Sequence, residues 1–218
     1  MKVGRQFGAI AVTVFFVASA LAQVSTGSAP GTSADSSTNK WAYNLTIDGY
    51  IVPDDQSFVD PVFMADRNWL HLEARYNYEN LRTGSLWVGY NFSAGRNVEL
   101  NITPMIGGVF GRTNGIAPGL EASLSYKKFE LSISNEYVFD TTDQSESFYY
   151  SWPQLTYSPV DWLRVGAVAQ HSKTYHTAVD IQRGFLVGVS HKKWEFTTYV
   201  FNPGFTDPTV VLEGGISF

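Results

Sequence analysis

Three ionisable residues alternate with other residues in the stretch His71-x-Glu73-x-Arg75. In an extended strand, residues two positions apart lie on the same face, about 7 Å from one another. The pattern therefore predicts a charged cluster on one face of a strand. Its role remains open. The cluster could be functional, as a constriction that selects solutes or as a His/Glu catalytic pair, or it could be a structural network of ion pairs.

Nucleophilic catalysis has weaker support. His171-Ser172 and Ser190-His191 place serine beside histidine, but adjacent residues of a strand point to opposite faces, and neither dipeptide can form a Ser–His pair. The chain has no cysteine, which excludes thiolate metal sites and cysteine nucleophiles. His176 lies in a loop without metal-ligand spacing, and the acidic run 140–146 lacks the spacing of a calcium-binding loop. We predict no catalytic residues, no metal, no cofactor and no enzymatic activity.

The elements that must position these residues are strands. From Trp41 onward, apolar and polar residues alternate with a period of two, and no helical period persists. In 128–139, for example, Phe129, Leu131 and Ile133 share one face, and Glu130, Ser132 and Ser134 share the other. The same alternation recurs in 41–51, 67–78, 84–92, 97–110, 115–126, 148–158, 161–171, 180–190, 193–202 and 208–218. The pattern predicts an all-β, antiparallel, up-and-down fold.

The length and charge of these segments favour a transmembrane barrel over a soluble β-sandwich. They run ten to twelve residues, as a tilted membrane crossing requires, whereas soluble strands average about five or six. Their polar face carries charges, as the interior of a membrane barrel does, and aromatic residues cluster at segment ends. Arg183 alone shares the apolar face, near a segment's start. The predicted lumen-lining residues are His71, Glu73, Arg75, Glu99, Glu121, Glu130, Glu136, Arg164, Glu195 and Glu213.

The first 39 residues are predicted to lie outside the barrel. Residues 1–22 combine a basic start, an apolar run and Ala20-Leu21-Ala22, which together are typical of a cleaved secretory signal peptide. Residues 23–39 read as a disordered polar linker, and 40–218 as the barrel domain. Cleavage removes Lys2 and Arg5 and changes the net charge from −5 to −7, which argues against nucleic acid as a partner.

The end of the sequence carries a family-level signal. Val210, Leu212, Ile216 and the terminal Phe218 lie on one face of the last segment. This resembles the C-terminal strand of bacterial outer-membrane proteins, in which a final aromatic residue closes an alternating strand. The resemblance implies a Gram-negative outer-membrane location, contact with membrane lipid, and recognition of these four residues by the barrel-assembly machinery.

The number of strands follows from counting back from this end. Eleven segments are clear, but bacterial single-chain barrels have an even number. The stretch 57–65 supplies a short twelfth strand, with Pro61 at an edge or bulge. We therefore predict twelve strands, with ten as the alternative if 41–66 is not part of the wall.

Several functions are compatible with this fold. The leading hypothesis is a porin-like channel for passive diffusion of small solutes, with a mild cation preference because eight mid-strand acidic residues, including Asp48, face two basic ones. The alternative is a plugged barrel with a structural, adhesive or surface-interaction role, favoured by large residues predicted to face inward: Trp69, Trp87, Trp162, Tyr199 and Phe201. An outer-membrane lipid hydrolase and a soluble periplasmic domain are weaker hypotheses.

Overall fold

The computed structural model describes residues 40–52, 56–174, 180–204 and 208–218. The predicted signal peptide 1–22, the predicted linker 23–39 and His176 lie outside them. The strands are β1 (Ala42–Ile51), β2 (Phe58–Arg67), β3 (Leu70–Tyr76), β4 (Thr83–Tyr90), β5 (Phe92–Gly95), β6 (Val98–Gly111), β7 (Gly115–Tyr126), β8 (Phe129–Asp140), β9 (Phe148–Val160), β10 (Leu163–Thr174), β11 (Asp180–His191), β12 (Trp194–Phe201) and β13 (Thr209–Ser217). A 3-10 helix covers Gln144–Glu146. Within the described ranges, no helix is long and apolar enough to cross a membrane.

The sheet closes on itself. Neighbouring strands pair antiparallel around the wall, and β13 pairs with β1. Both β4 and β5 pair with β6, so they form one strand that is interrupted at Asn91. The result is a closed antiparallel barrel of twelve strands, one of them divided. The predicted all-β barrel and its strand number are confirmed.

The segment 57–65 supplies the twelfth strand as predicted. As β2, it pairs with β1 from Phe58 to Asp66, but with β3 only from Val62 onward. Pro61 occupies the first position beyond this second ladder. A proline is tolerated at such an edge because it has no N–H to donate to a neighbouring strand.

The two ends of the barrel differ in their connections. At the end that carries Ala42 and Phe218, the terminal end, the turns 68–69, 96–97, 127–128, 161–162 and 192–193 each have two residues. At the opposite end, the loop end, the connections between strands run three to seven residues. Short turns at one end and longer loops at the other are typical of outer-membrane barrels.

The outer surface of the wall is apolar. Leu86, Ile106 and Leu155 are each more than half exposed in the middle of their strands, where a soluble protein would carry polar side chains. Large aromatic residues surround the terminal end, among them Trp69 (55% exposed) and Trp162 (56% exposed). The prediction that these two tryptophans face inward is wrong. They occupy two-residue turns, where the alternation of a strand no longer dictates the direction of a side chain.

Two apolar clusters lie inside the barrel. Trp87 packs with Met105, Val109, Ala117 and Val138, with Phe148 against them. On the other side of the lumen, Tyr199 and Phe201 pack with Val168, Leu186 and Val211, with Tyr50 and Trp152 against them. Trp87, Tyr199 and Phe201 face inward, as the sequence predicts. These clusters fill much of the interior toward the loop end.

The ring of Trp87 lies flat against a glycine of the neighbouring strand. This contact allows the packing inside the lumen to be tested. A Cβ atom at Gly107 would lie 2.4 Å from Cδ2 of Trp87, whereas a Cβ atom at the adjacent Gly108 would meet nothing within 4 Å. We expect Gly107→Ala to lower the free energy of unfolding by about 1–3 kcal/mol because the ring must shift. Gly108→Ala is the matched control and should be neutral or slightly stabilising. Urea titration of the protein refolded in lipid vesicles measures both; equal effects at the two positions would contradict this packing.

Candidate functional site: the charged lumen

Arg75 of β3 is the centre of the larger charge network. Its Nε donates to Glu73 at 2.5 Å, and its Nη1 donates to Glu136 at 2.9 Å. Its Nη2 lies 3.9 Å from a carboxylate oxygen of Glu121. The guanidinium also lies over the rings of Tyr78, at 4.4 Å, and Trp87, at 4.5 Å. Arg75 therefore binds three carboxylates and two aromatic rings.

These contacts reach across the interior of the barrel. Glu121 belongs to β7 and Glu136 to β8, and β4, β6 and β7 separate β3 from β8 in the wall. A side chain of β3 meets β8 only by crossing the space that these strands enclose. The Arg75–Glu136 ion pair thus narrows the lumen and connects two parts of the wall. We call this ion pair the strut.

His71 extends this network toward the terminal end. Its Nδ1 lies 2.8 Å from Asp66 and its Nε2 lies 2.7 Å from Glu73. Asn91, at the interruption between β4 and β5, donates to the same Asp66 oxygen at 2.6 Å and accepts from Thr103 at 2.7 Å. Both ring nitrogens of His71 are thus engaged by carboxylates, which favours the structural interpretation of His71-x-Glu73-x-Arg75 over a catalytic one.

The same residues offer ligand atoms for a metal. Atoms of His71, Glu73 and Glu121 lie within 4.8 Å of one another. The guanidinium of Arg75 contacts Glu73 and lies close to Glu121, so a divalent cation bound there would sit beside a positive charge. The chemistry of the cluster therefore favours ion pairing over metal binding.

Arg164 of β10 organises a smaller network on the other side of the lumen. Its Nη2 donates to Glu195 at 2.5 Å and to Thr197 at 3.0 Å, and lies 3.9 Å from Glu213. Glu213 also accepts a hydrogen bond from the hydroxyl of Tyr199 at 2.9 Å. The charged side chains are 14–24% exposed, so this network is wetter than the one around Arg75.

Three carboxylates form a row across neighbouring strands. Asp48 of β1 lies directly opposite Asp60 of β2 and directly opposite Glu213 of β13. Asp60 is only 2% exposed. Like charges in direct cross-strand positions repel one another, and this row concentrates three acidic side chains on one side of the lumen.

Two predicted residues lie apart from both networks. Glu99 is exposed at the terminal end of β6, and Glu130 of β8 accepts a hydrogen bond from Ser125 at 3.1 Å. The other predicted residues fall into the two networks around Arg75 and Arg164. Sequence reasoning missed Asp60 and Asp66, although both share the parity of Val62 and Met64 in β2.

The loop 77–82 folds into the lumen, and no sequence signal indicated it. Its Glu79 is buried and accepts from the Ser85 hydroxyl at 2.5 Å and from the Trp87 indole at 3.3 Å. Its Tyr78 ring packs edge-on against Tyr150 at 5.7 Å. We call this segment the inner loop. It closes part of the loop end from inside.

A polar cavity of about 220 Å³ remains within the barrel. It extends from Asn44 and Lys193 near the terminal end to Tyr50, Tyr78 and Tyr150 deeper inside. Its charged lining consists of Asp48, Arg75, Glu121, Arg164, Lys193, Glu195 and Glu213. The two networks therefore border the same cavity, whose inner limit is a set of tyrosines.

Removing Arg75 tests whether the strut stabilises the fold. Arg75→Gln leaves Glu73 and Glu136 buried without their cation, and breaking a buried pair in this way costs about 3–5 kcal/mol. We expect the free energy of unfolding, measured in vesicles, to fall by this amount. In the double variant Arg75→Gln/Glu136→Gln, part of the lost stability should return. Arg164→Gln is the control and should cost less because its partners are more exposed. Equal costs for the two arginines would contradict the assignment.

Comparison with known proteins shows the fold. No family model matches the chain, and no curated protein matches it. The solved structures similar to it include the KdgM porin (14% identity, TM-score 0.57) and the KdgM porin in complex with disordered oligogalacturonate (12% identity, TM-score 0.58). Each comparison covers 80% of this chain and 99% of that protein. The fold is thus that of an outer-membrane β-barrel of the porin type.

Proposed function

We propose that the chain is a Gram-negative outer-membrane protein whose terminal end faces the periplasm and whose loop end faces outward. The apolar outer wall, the short turns at one end and the longer loops at the other support this location. The last strand agrees with it, since Leu212 and Phe218 are exposed on the outer face. We propose that Val210, Leu212, Ile216 and Phe218 form the signal for the barrel-assembly machinery.

We further propose that the barrel passes small neutral and cationic solutes by passive diffusion, without a cofactor. The observation that carries this proposal is a cavity inside a closed barrel whose charged lining includes the carboxylates of Asp48, Glu121, Glu195 and Glu213. Among the described residues, the carboxylates inside the barrel outnumber the cations His71, Arg75, Arg164 and Lys193, and they include Asp48, Asp60, Asp66, Glu73, Glu79, Glu121, Glu136, Glu195 and Glu213. A surplus of negative charge in a narrow, partly desolvated pore favours cations over anions.

The acidic residues of the interior also bear on which solutes could pass. One similar structure is a KdgM porin in complex with oligogalacturonate, a polyanionic sugar. In the present chain the row Asp48–Asp60–Glu213 would repel a ligand that carries carboxylates. We propose that acidic oligosaccharides are excluded and that small neutral or positively charged solutes pass.

A second candidate is a closed barrel that serves a structural or surface-interaction role. The two apolar clusters, the Arg75–Glu136 strut and the inner loop favour it because together they occupy the interior toward the loop end. In that case the loops would carry the function, and the ion pairs would only stabilise the wall.

Conductance with a salt gradient across a planar bilayer separates the two candidates. We expect the refolded protein to give discrete current steps and a reversal potential whose sign indicates a preference for cations. Glu121→Gln/Glu213→Gln should reduce that preference because both residues line the cavity. The matched control, Glu146→Gln, changes an exposed carboxylate at the loop end and should leave it unchanged. Anion preference would overturn the proposed selectivity, and stable insertion without current would establish the closed barrel.

The inner loop provides a further test of the pathway. Tyr78→Ala removes the ring that lies between Arg75 and Tyr150 at the inner limit of the cavity. We expect a severalfold increase in single-channel conductance because the constriction widens. Tyr149→Ala, a lipid-facing tyrosine on β9, is the control and should leave conductance unchanged. An unchanged conductance in Tyr78→Ala would place the limiting constriction elsewhere.

A further inference from the structure

The terminal end of the barrel is strongly basic. Seven lysine and arginine residues lie in its turns and strand ends, and we call them the basic rim: Lys40, Arg67, Arg96, Lys127, Lys128, Lys192 and Lys193. The described turns at this end contain a single carboxylate side chain, that of Asp161, and the adjoining strand ends carry those of Asp66, Glu99, Glu130 and Glu195. At the loop end, by contrast, the described loop residues mix Arg82 and Arg112 with several acidic residues. The charge at the two ends of the barrel is therefore asymmetric.

Three of the seven residues of the basic rim lie close to exposed aromatic rings. The Arg67 guanidinium lies 5.7 Å from the Trp41 ring. Lys127 Nζ lies 5.1 Å from the ring of Tyr126. Lys193 Nζ lies 6.0 Å from the ring of Trp194. These three rings are exposed, and exposed aromatic belts mark the depth of a membrane interface. Arg67 and Lys127 therefore lie beside rings of the outer perimeter, whereas Lys193 lies beside Trp194 and also borders the lumen cavity.

Two of these lysines hold backbone conformations that lysine does not favour. Lys127 has φ 55° and Lys192 has φ 58°, in the left-handed region. This region is unfavourable for a residue with a Cβ atom, and asparagine or glycine is the usual occupant. The corresponding turn between β2 and β3 does use asparagine, with Asn68 at φ 55°. Turn geometry alone thus does not account for lysine at these two positions.

We propose that the basic rim and its aromatic rings bind anionic phospholipid headgroups, of the phosphatidylglycerol type, in the leaflet at the terminal end. A phosphate group beside a Lys or Arg side chain near the membrane surface gains about 1 kcal/mol, or roughly fivefold in affinity per contact. The aromatic rings hold the cations at the depth where those phosphates lie. This inference rests on the proposed membrane location and is independent of whether the lumen conducts.

The tryptophans of the chain allow a direct measurement. Trp41, Trp69, Trp162 and Trp194 are exposed at the terminal end, whereas Trp87 and Trp152 lie inside the barrel. In phosphatidylcholine vesicles with a minor fraction of brominated phosphatidylglycerol, we expect severalfold stronger quenching than with the same fraction of brominated phosphatidylcholine. High salt should reduce the difference because surface charge is screened. Equal quenching by the two brominated lipids in the wild type would overturn the proposal.

A pair of matched variants separates lipid binding from folding. Lys127→Asn/Lys192→Asn removes two charges and relieves both unfavourable φ angles, so stability in phosphatidylcholine should be maintained or raised. We expect its preference for phosphatidylglycerol to fall severalfold. Arg82→Asn/Arg112→Asn removes the same charge at the loop end, with Arg82 also at φ 59°, and should keep the preference. The same loss in both variants would overturn the specific role of the basic rim.

If the protein does not lie in a membrane, the quenching measurement gives a different result. A protein outside the bilayer would show no quenching of its exposed tryptophans by either brominated lipid, and that outcome would overturn the location and the basic rim together. Quenching by both lipids to the same degree would keep the location and overturn the basic rim alone.

Discussion

The whole structure depends on one requirement, that each backbone N–H and C=O inside a bilayer finds a partner within the protein. A sheet meets this requirement only when its two edges are joined, and here the pairing of β1 with β13 joins them. Once the wall is closed, the alternation of side chains divides each strand between two environments. The apolar outer surface and the charged interior are both consequences of that closure.

A closed interior of this size leaves little water to solvate charge, and this explains the ion pairs. Glu73 and Glu136 are buried, so each gains more from a guanidinium partner than it would at a surface. Both networks border the cavity, but Arg75, Glu73 and Glu136 are almost fully buried, whereas Arg164 and Glu195 are partly exposed. Asp48 and Asp60 lie directly opposite one another, and the two groups repel each other when both are ionised.

The sequence predicted the strands of the wall much better than the side-chain contacts inside the lumen. Period-two alternation depends only on neighbouring residues, so it could predict on which face Glu121, Glu136 and Glu213 lie. Which of these charges meet depends on distances across the lumen, and Arg75 contacts Glu136 sixty-one residues away. The burial of Glu79 could not be predicted because a loop has no periodicity. Trp69 and Trp162 were assigned inward wrongly for the same reason, since their turns end the alternation.

The strut formed by Arg75 and Glu136 has a mechanical consequence. A barrel of twelve strands without internal contacts can flatten into an ellipse when the surrounding lipid presses on it unevenly, since its hydrogen bonds bend easily along the strand axes. A short ion pair between β3 and β8 fixes one chord of the cross-section. A deformation that moves these two strands apart must then stretch that pair, so the ion pair stiffens this part of the wall against lateral pressure.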